Sequence, residues 1–183
     1  VEGIMTADPR IVSDTHIMDT VSYTEVCQMA NNGAKVIHPR AVEIAMRNNL
    51  PVYVKSTFSD APGTLITNVT DLAGGVGDAV VSDKIASGIA HETDLVQFCV
   101  ELDPQNISAG RNLFEDLANH GISVGCLNLS ENGAKFCVFS KDSLHTEEAL
   151  KISEVKYTKT TGCAKVTVVG TNMDGVAGVM STF

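Results

Sequence analysis

Between residues 95 and 153 the sequence reads as strand, helix, strand, hairpin turn, strand and helix, and few architectures accept that order. A strand over 95–102 is followed by a polar turn over 103–110, which leads into a helix ending near His120-Gly121. Residues 122–129 form the second strand, Glu131-Asn132-Gly133 the tight turn, and 134–140 the returning strand. A helix over 143–153 carries Leu144, Ala149, Leu150 and Ile152, and residues 155–157 add one more strand. The order is βαββα, extended by that last strand to βαββαβ. An antiparallel sheet with both helices on one face is the simplest way to bury these stripes.

Upstream the pattern is α/β and begins in mid-domain. Val26, Met29 and Ala30 give residues 23–32 a helical stripe, and Gly33 suits its stop. Pro39 suits the first turn of a second helix over 39–48, with Ala41, Val42, Ile44 and Ala45 as its inner face. A short strand over 51–55, a turn over 59–64 and a strand over 65–67 complete this part. The sequence then changes character: residues 68–87 are rich in glycine, acidic and hydroxyl side chains and read as a linker or exposed loop. The domain scheme is therefore 1–67, a linker over 68–87, a first module over 88–160, and a second beginning at 161–183. That second module rests on a faint repeat of residues 95–114 in 164–183. The repeat would be cut within its first helix, so the natural chain is expected to continue.

A net charge of -9 and a pI near 4.9 argue against nucleic acid or an anionic membrane as partner. No run approaches the length of a membrane span. Five cysteines without a CxxC pair fit a reducing cytoplasm better than a disulfide framework, and the scattered histidines speak against a metal site. Cys126 and Cys137 are read as small core residues facing each other across the hairpin, not as a redox pair. In GAKVIHPRAVEIA, Lys35 stands just ahead of a helix whose N-terminus is already positive. Either it is solvated, or an anion neutralises the site.

Three stretches, VEGIMTADPRIV, NNGAKVIHPRAVEIA and STFSDAPGTLI, taken in order and spacing, resemble the C-terminal third of aspartokinases. The resemblance continues through GIAH and CAKVTVVG and covers nearly the whole chain. It implies the α/β tail of an amino-acid-kinase domain followed by α+β ACT modules, which have the ferredoxin-like βαββαβ order. It implies that Met5, Arg10, Lys35 and Val36 lie at the nucleotide site, with Lys35 and Arg10 toward the phosphates of an ATP substrate that brings Mg2+. Position 5 departs from the family, many of whose members carry tyrosine there.

For an amino-acid effector of the lysine, threonine or diaminopimelate class, the resemblance points to Asp103, Asn106, Ala109, Gly110, Ser123, Gly125 and Glu131, with Asn128 added on strand geometry. Many relatives read I-S-V-D where this chain has Ile122-Ser123-Val124-Gly125, so a carboxylate is missing. ACT modules imply a homodimer paired edge to edge. The family's K-F-G-G-T-S segment, which carries the catalytic lysine, does not occur in these residues, so the chain alone is expected to be inactive and to bind no cofactor tightly. The alternative is a non-catalytic, amino-acid-binding regulatory subunit. His38 is expected to fix its turn, Asp8-Pro9 to be a turn, and Gly74-Gly75-Val76-Gly77 not to be a dinucleotide loop.

Overall fold

The computed structural model describes residues 1–68, 86–102, 107–170 and 173, and for residues 107–109 the backbone alone. Most of the expected linker, and nearly all of the repeat beyond Gly170, lie outside these described residues. The chain divides into two units, one of Val1–His91 with Val166–Phe183 and one of Glu92–Lys165.

In the first unit β1 (Thr20–Ser22) runs directly into α1 (Tyr23–Asn31), followed by α2 (Pro39–Arg47), β2 (Val52–Val54) and β3 (Thr64–Thr67). β3 lies between the other two strands, parallel to β1 and antiparallel to β2. Ser22 starts α1 through a capping box: its hydroxyl accepts from the Glu25 amide, and the Glu25 carboxylate accepts from the Ser22 amide at 3.0 Å. Gly33, at φ 109°, stops the helix, with its amide on the Ala30 carbonyl and that of Ala34 on the Met29 carbonyl. This is the paired closure that a left-handed glycine permits.

Tyr23, Val26, Met29, Val42, Ala45 and Ile66 fill the core of this unit, and Val169 joins them. Of the inner face expected for α2, Val42 and Ala45 are buried, whereas Ala41 and Ile44 are exposed. The pair Val42 and Ala45 is spaced by three residues and makes a narrower stripe than the sequence offered.

The second unit has the predicted order in full. β4 (Gly88–Glu101), α3 (Ile107–Asn119), β5 (Gly125–Ser130), β6 (Gly133–Phe139), a short 3-10 turn (Ser140–Asp142), α4 (Ser143–Ile152) and β7 (Tyr157–Val169) follow one another. The sheet runs β5-β6-β4-β7, the ferredoxin-like βαββαβ arrangement, with β4 and β5 antiparallel to β6. Val96, Phe98 and Val100 of β4 and Phe136 and Val138 of β6 pack against Leu113 and Leu117 of α3 and Ala149 and Leu150 of α4. Both helices thus cover one face.

Phe98 stacks on Phe136 with ring centroids 5.8 Å apart and meets Tyr157 at 5.9 Å. α3 ends as α1 does: Gly121, at φ 69°, directs its amide to Ala118 and that of Ile122 to Leu117. Buried positions on α4 recur at Ser143, Thr146, Ala149 and Leu150, so Leu144 and Ile152 stand beside the stripe and are exposed, contrary to expectation. β7 runs unbroken through the boundary expected at 160/161. No helix among the described residues is long and apolar enough to cross a membrane.

Candidate functional site

Lys35 and Val36 occupy the loop between the glycine stop of α1 and the start of α2, and both are exposed. His38 is the N-cap of α2: its Nδ1 accepts from the Arg40 amide at 3.2 Å, and its carbonyl accepts from the Ala41 amide at 2.9 Å. The expected turn-fixing role of His38 is therefore present. Pro39 has no amide to offer, so His38 itself occupies the first amides of the helix. An anion beside Lys35 would rely chiefly on the ammonium charge. Among the described residues no carboxylate lies within ion-pair distance of Lys35.

Met5 is half-buried, bridges to Ile17 and takes a 3.7 Å contact from the Thr15 hydroxyl on its sulfur. Arg10 has closed onto its own turn. Its guanidinium reaches the Asp8 carboxylate with Nη2 at 2.6 Å and Nε at 3.0 Å, and its amide donates to Asp8 Oδ1 at 2.9 Å. The Asp8 carbonyl accepts from Ile11 and Val12. Asp8-Pro9 is thus the turn that the sequence predicts. The hydrogen bonds from the Arg10 side chain and then from its amide hold the Asp8 carboxyl well below its ordinary value, at about 2.

The residues named for an effector separate within the second unit. Asp103 and Asn106 lie outside the described residues, and the side chain of Ala109 is not described. Gly110 sits inside α3, which begins at Ile107, earlier than the turn over 103–110 allowed. A Cβ on Gly110 would stand 3.2 Å from Leu102 Cδ1, so its bare face lies against the Leu102 side chain. The Leu102 amide bonds the Asn132 carbonyl, which puts the Glu131 turn at the same end of the sheet as the start of α3.

Ser123 and Gly125 lie at the other end. Gly125 is opposite Cys137, while Ser130 is opposite Gly133, and the four steps of β6 from Gly133 to Cys137 correspond to about 14 Å of strand. Asn128 stands between the two ends, opposite Lys135, and is exposed. By register the described candidates on this strand and its turn fall at two ends of the sheet, Glu131 at one and Ser123 and Gly125 at the other. Sequence spacing names the strand but not the end to which each residue belongs.

Around Ser123 and Gly125 there is a shallow cleft of about 190 Å³, lined also by Glu92, Leu95, Cys126, Cys137, Val138, Phe139 and Lys165. Glu92 and Lys165 form an ion pair at its edge. Sequence reasoning missed both, because they lie outside the strands it assigned, 95–102 and 155–157, which the structure extends to Gly88–Glu101 and Tyr157–Val169. A Cβ on Gly125 would meet only the Cys137 carbonyl oxygen, at 3.8 Å, so this position accepts a side chain. Cys137 is buried as expected, but Cys126 is exposed. Among the described residues no group of three His, Cys, Asp or Glu side chains could hold a metal ion.

Comparison with known proteins gives a consistent result. Residues 1–56 match the amino acid kinase family. Aspartokinase 1 of Bacillus subtilis is 39% identical over 99% of this chain, which spans 44% of that protein. The crystal structure of E. coli aspartokinase III in complex with aspartate and ADP superposes with a TM-score of 0.78 at 26% identity, covering 99% of this chain and 41% of that one. The same E. coli enzyme in complex with lysine and aspartate gives 0.74 at 26% identity, covering 98% of this chain and 40% of that one. The chain therefore spans less than half the length of each of these three relatives.

Proposed function

The chain belongs to the aspartokinase family, and from that premise we propose that it is the C-terminal regulatory part of an enzyme that transfers the γ-phosphoryl group of ATP to the β-carboxylate of L-aspartate. The product would be 4-phospho-L-aspartate, the entry to lysine, threonine and methionine biosynthesis in the cytoplasm. The observation that carries this reading is the identity to Bacillus subtilis aspartokinase 1 over 99% of the chain. The βαββαβ unit supports a regulatory role for residues 92–165.

In this reading the first unit contributes part of the nucleotide site. Lys35 supplies a positive charge to the ATP phosphates, which arrive with Mg2+ as part of the substrate. Val36 offers apolar contact beside it, and Met5 stands where stacking on an adenine would be weaker than with tyrosine. Arg10 joins only by leaving Asp8, so in the described state it is a latent phosphate ligand.

The second unit takes an amino-acid effector of the lysine, threonine or diaminopimelate class. Ser123 and Gly125 at the cleft, and Gly110, Asn128 and Glu131 beyond it, are the described candidates. Asp103, Asn106 and Ala109 remain candidates on the resemblance alone. Every residue of β5 is exposed and its outer edge is free among the described residues, which supports pairing of two copies edge to edge into a homodimer.

The test is a coupled assay of aspartyl phosphate formation, on this chain alone and on the chain joined in frame to an amino-acid-kinase N-terminal part. Activity in the joined protein, absent from the chain alone and altered by one of these amino acids, is expected. Aspartyl phosphate from the chain alone would overturn the regulatory reading. A joined protein that binds an effector but never turns over would favour a non-catalytic regulatory subunit.

A further inference from the structure

Gly125 lies opposite Cys137 and Asn128 opposite Lys135, so two residues of β5, Cys126 and Leu127, stand against the single residue Phe136 of β6. This is a β-bulge. In an unbroken ladder Cys126 would face Phe136 and share its core-facing side. The bulge instead holds Cys126 at φ 51°, a left-handed conformation uncommon outside glycine, and turns it outward. It thereby enters the cleft that Cys137 lines from β6. One thiol of the pair is open to solvent, and the other is only 7% exposed.

We infer that Cys126 and Cys137 form a modification site, at which a low-molecular-weight disulfide of the glutathione class cross-links β5 to β6. The Cys126 thiolate attacks one sulfur of the small disulfide, forming a mixed disulfide and releasing the first small thiol. Cys137 then loses its proton and attacks Sγ of Cys126, expelling the second small thiol. Two protein thiols are oxidised, and one small disulfide is reduced to two thiols.

Positions opposite each other across an antiparallel pair stand about 4.5–5.5 Å apart, and a disulfide bridges roughly 4.4–6.8 Å between Cα atoms. The bulge sets Cys126 beside such a position. Burial raises the Cys137 thiol above its ordinary value, and Cys126 adds to this both as a neighbouring charge and as a hydrogen-bond partner. Both thiols line the same cleft, and their exposure makes Cys126 the attacking thiol and the buried Cys137 the resolving one. The bond would cross the floor of the cleft beside Gly125.

The test treats the folded chain with oxidised glutathione and follows free thiols, intact mass and peptide linkage. Two of the five thiols should disappear, in a product two hydrogens lighter, with a 126–137 link that dithiothreitol reverses. Cys137→Ser should stop at a mixed disulfide on Cys126, and Cys126→Ser should leave Cys137 unmodified. A mixed disulfide on Cys126 that never resolves in the unsubstituted chain would overturn the inference. So would a link from either residue to Cys99 or Cys163, or modification of Cys137 at the original rate without Cys126. The peptide map of the unsubstituted chain decides the matter even if a variant fails to fold.

Discussion

The Arg10 guanidinium closes onto the Asp8 carboxylate two residues before it, Nη2 to Oδ2 at 2.6 Å, while the Arg10 amide holds Oδ1 at 2.9 Å. The folded carboxyl titrates at about 2 against an ordinary value of 3.8. Because the folded value is depressed, the favourable contribution is complete above the ordinary value and is lost as pH falls toward 2. A carbon-detected NMR titration should place the Asp8 midpoint near the lower value, and Arg10→Ala should return it to the ordinary range. A midpoint unmoved by that substitution would mean that Arg10 is not the cause.

Freed from any carboxylate partner among the described residues, Lys35 is available to a phosphate. In a full-length enzyme Lys35→Ala should reduce kcat/KM for ATP by about 10- to 100-fold, corresponding to one charge-assisted hydrogen bond of roughly 1.5–3 kcal/mol. Effector affinity should remain unchanged. Equal loss of both would assign Lys35 to folding.

Room at Gly125 makes a gain of function testable. Gly125→Asp should fold normally, since its Cβ meets only a carbonyl oxygen at ordinary contact distance. It supplies the carboxylate that the family resemblance implies at this position and should tighten binding of a cationic amino acid by about one to two powers of ten. Calorimetry on the two forms measures this, and equal affinity for every amino acid tested would move the effector site elsewhere.

Gly133 is the opposite case. A Cβ there would lie 2.2 Å from the Val100 carbonyl oxygen, a backbone atom of the paired strand β4. Gly133→Ala should therefore destabilise the second unit by about 1–3 kcal/mol or more, read from chemical denaturation. Gly125→Ala on the neighbouring strand serves as the near-neutral control.

At α2, His38→Ala removes the side-chain acceptor for the Arg40 amide and should cost about 0.5–2 kcal/mol. His38→Asp keeps an N-cap acceptor and should recover most of that loss. Equal melting temperatures for all three forms would mean that the cap contributes nothing measurable.

The sequence by itself determined most of the elements and their order. Gly33 and Gly121 end their helices because only a left-handed residue lets the last carbonyls find amides, Pro39 opens α2 because it has no amide to waste, and the Glu131-Asn132 turn joins β5 to β6. These are local constraints, written within a few residues, and so they can be read without a fold. The family motifs are local in the same sense.

Only tertiary structure decided which end of the sheet each residue reaches. Gly110 and Glu131 part from Ser123 and Gly125 because antiparallel pairing sends the two ends of β5 in opposite directions. Glu92 meets Lys165 because β4 and β7 are neighbours. Cys126 lines the same cleft as Cys137 because a single extra residue in β5 reverses the face to which it belongs. Register is set by the combined burial of several strands, and no short stretch of sequence contains that sum.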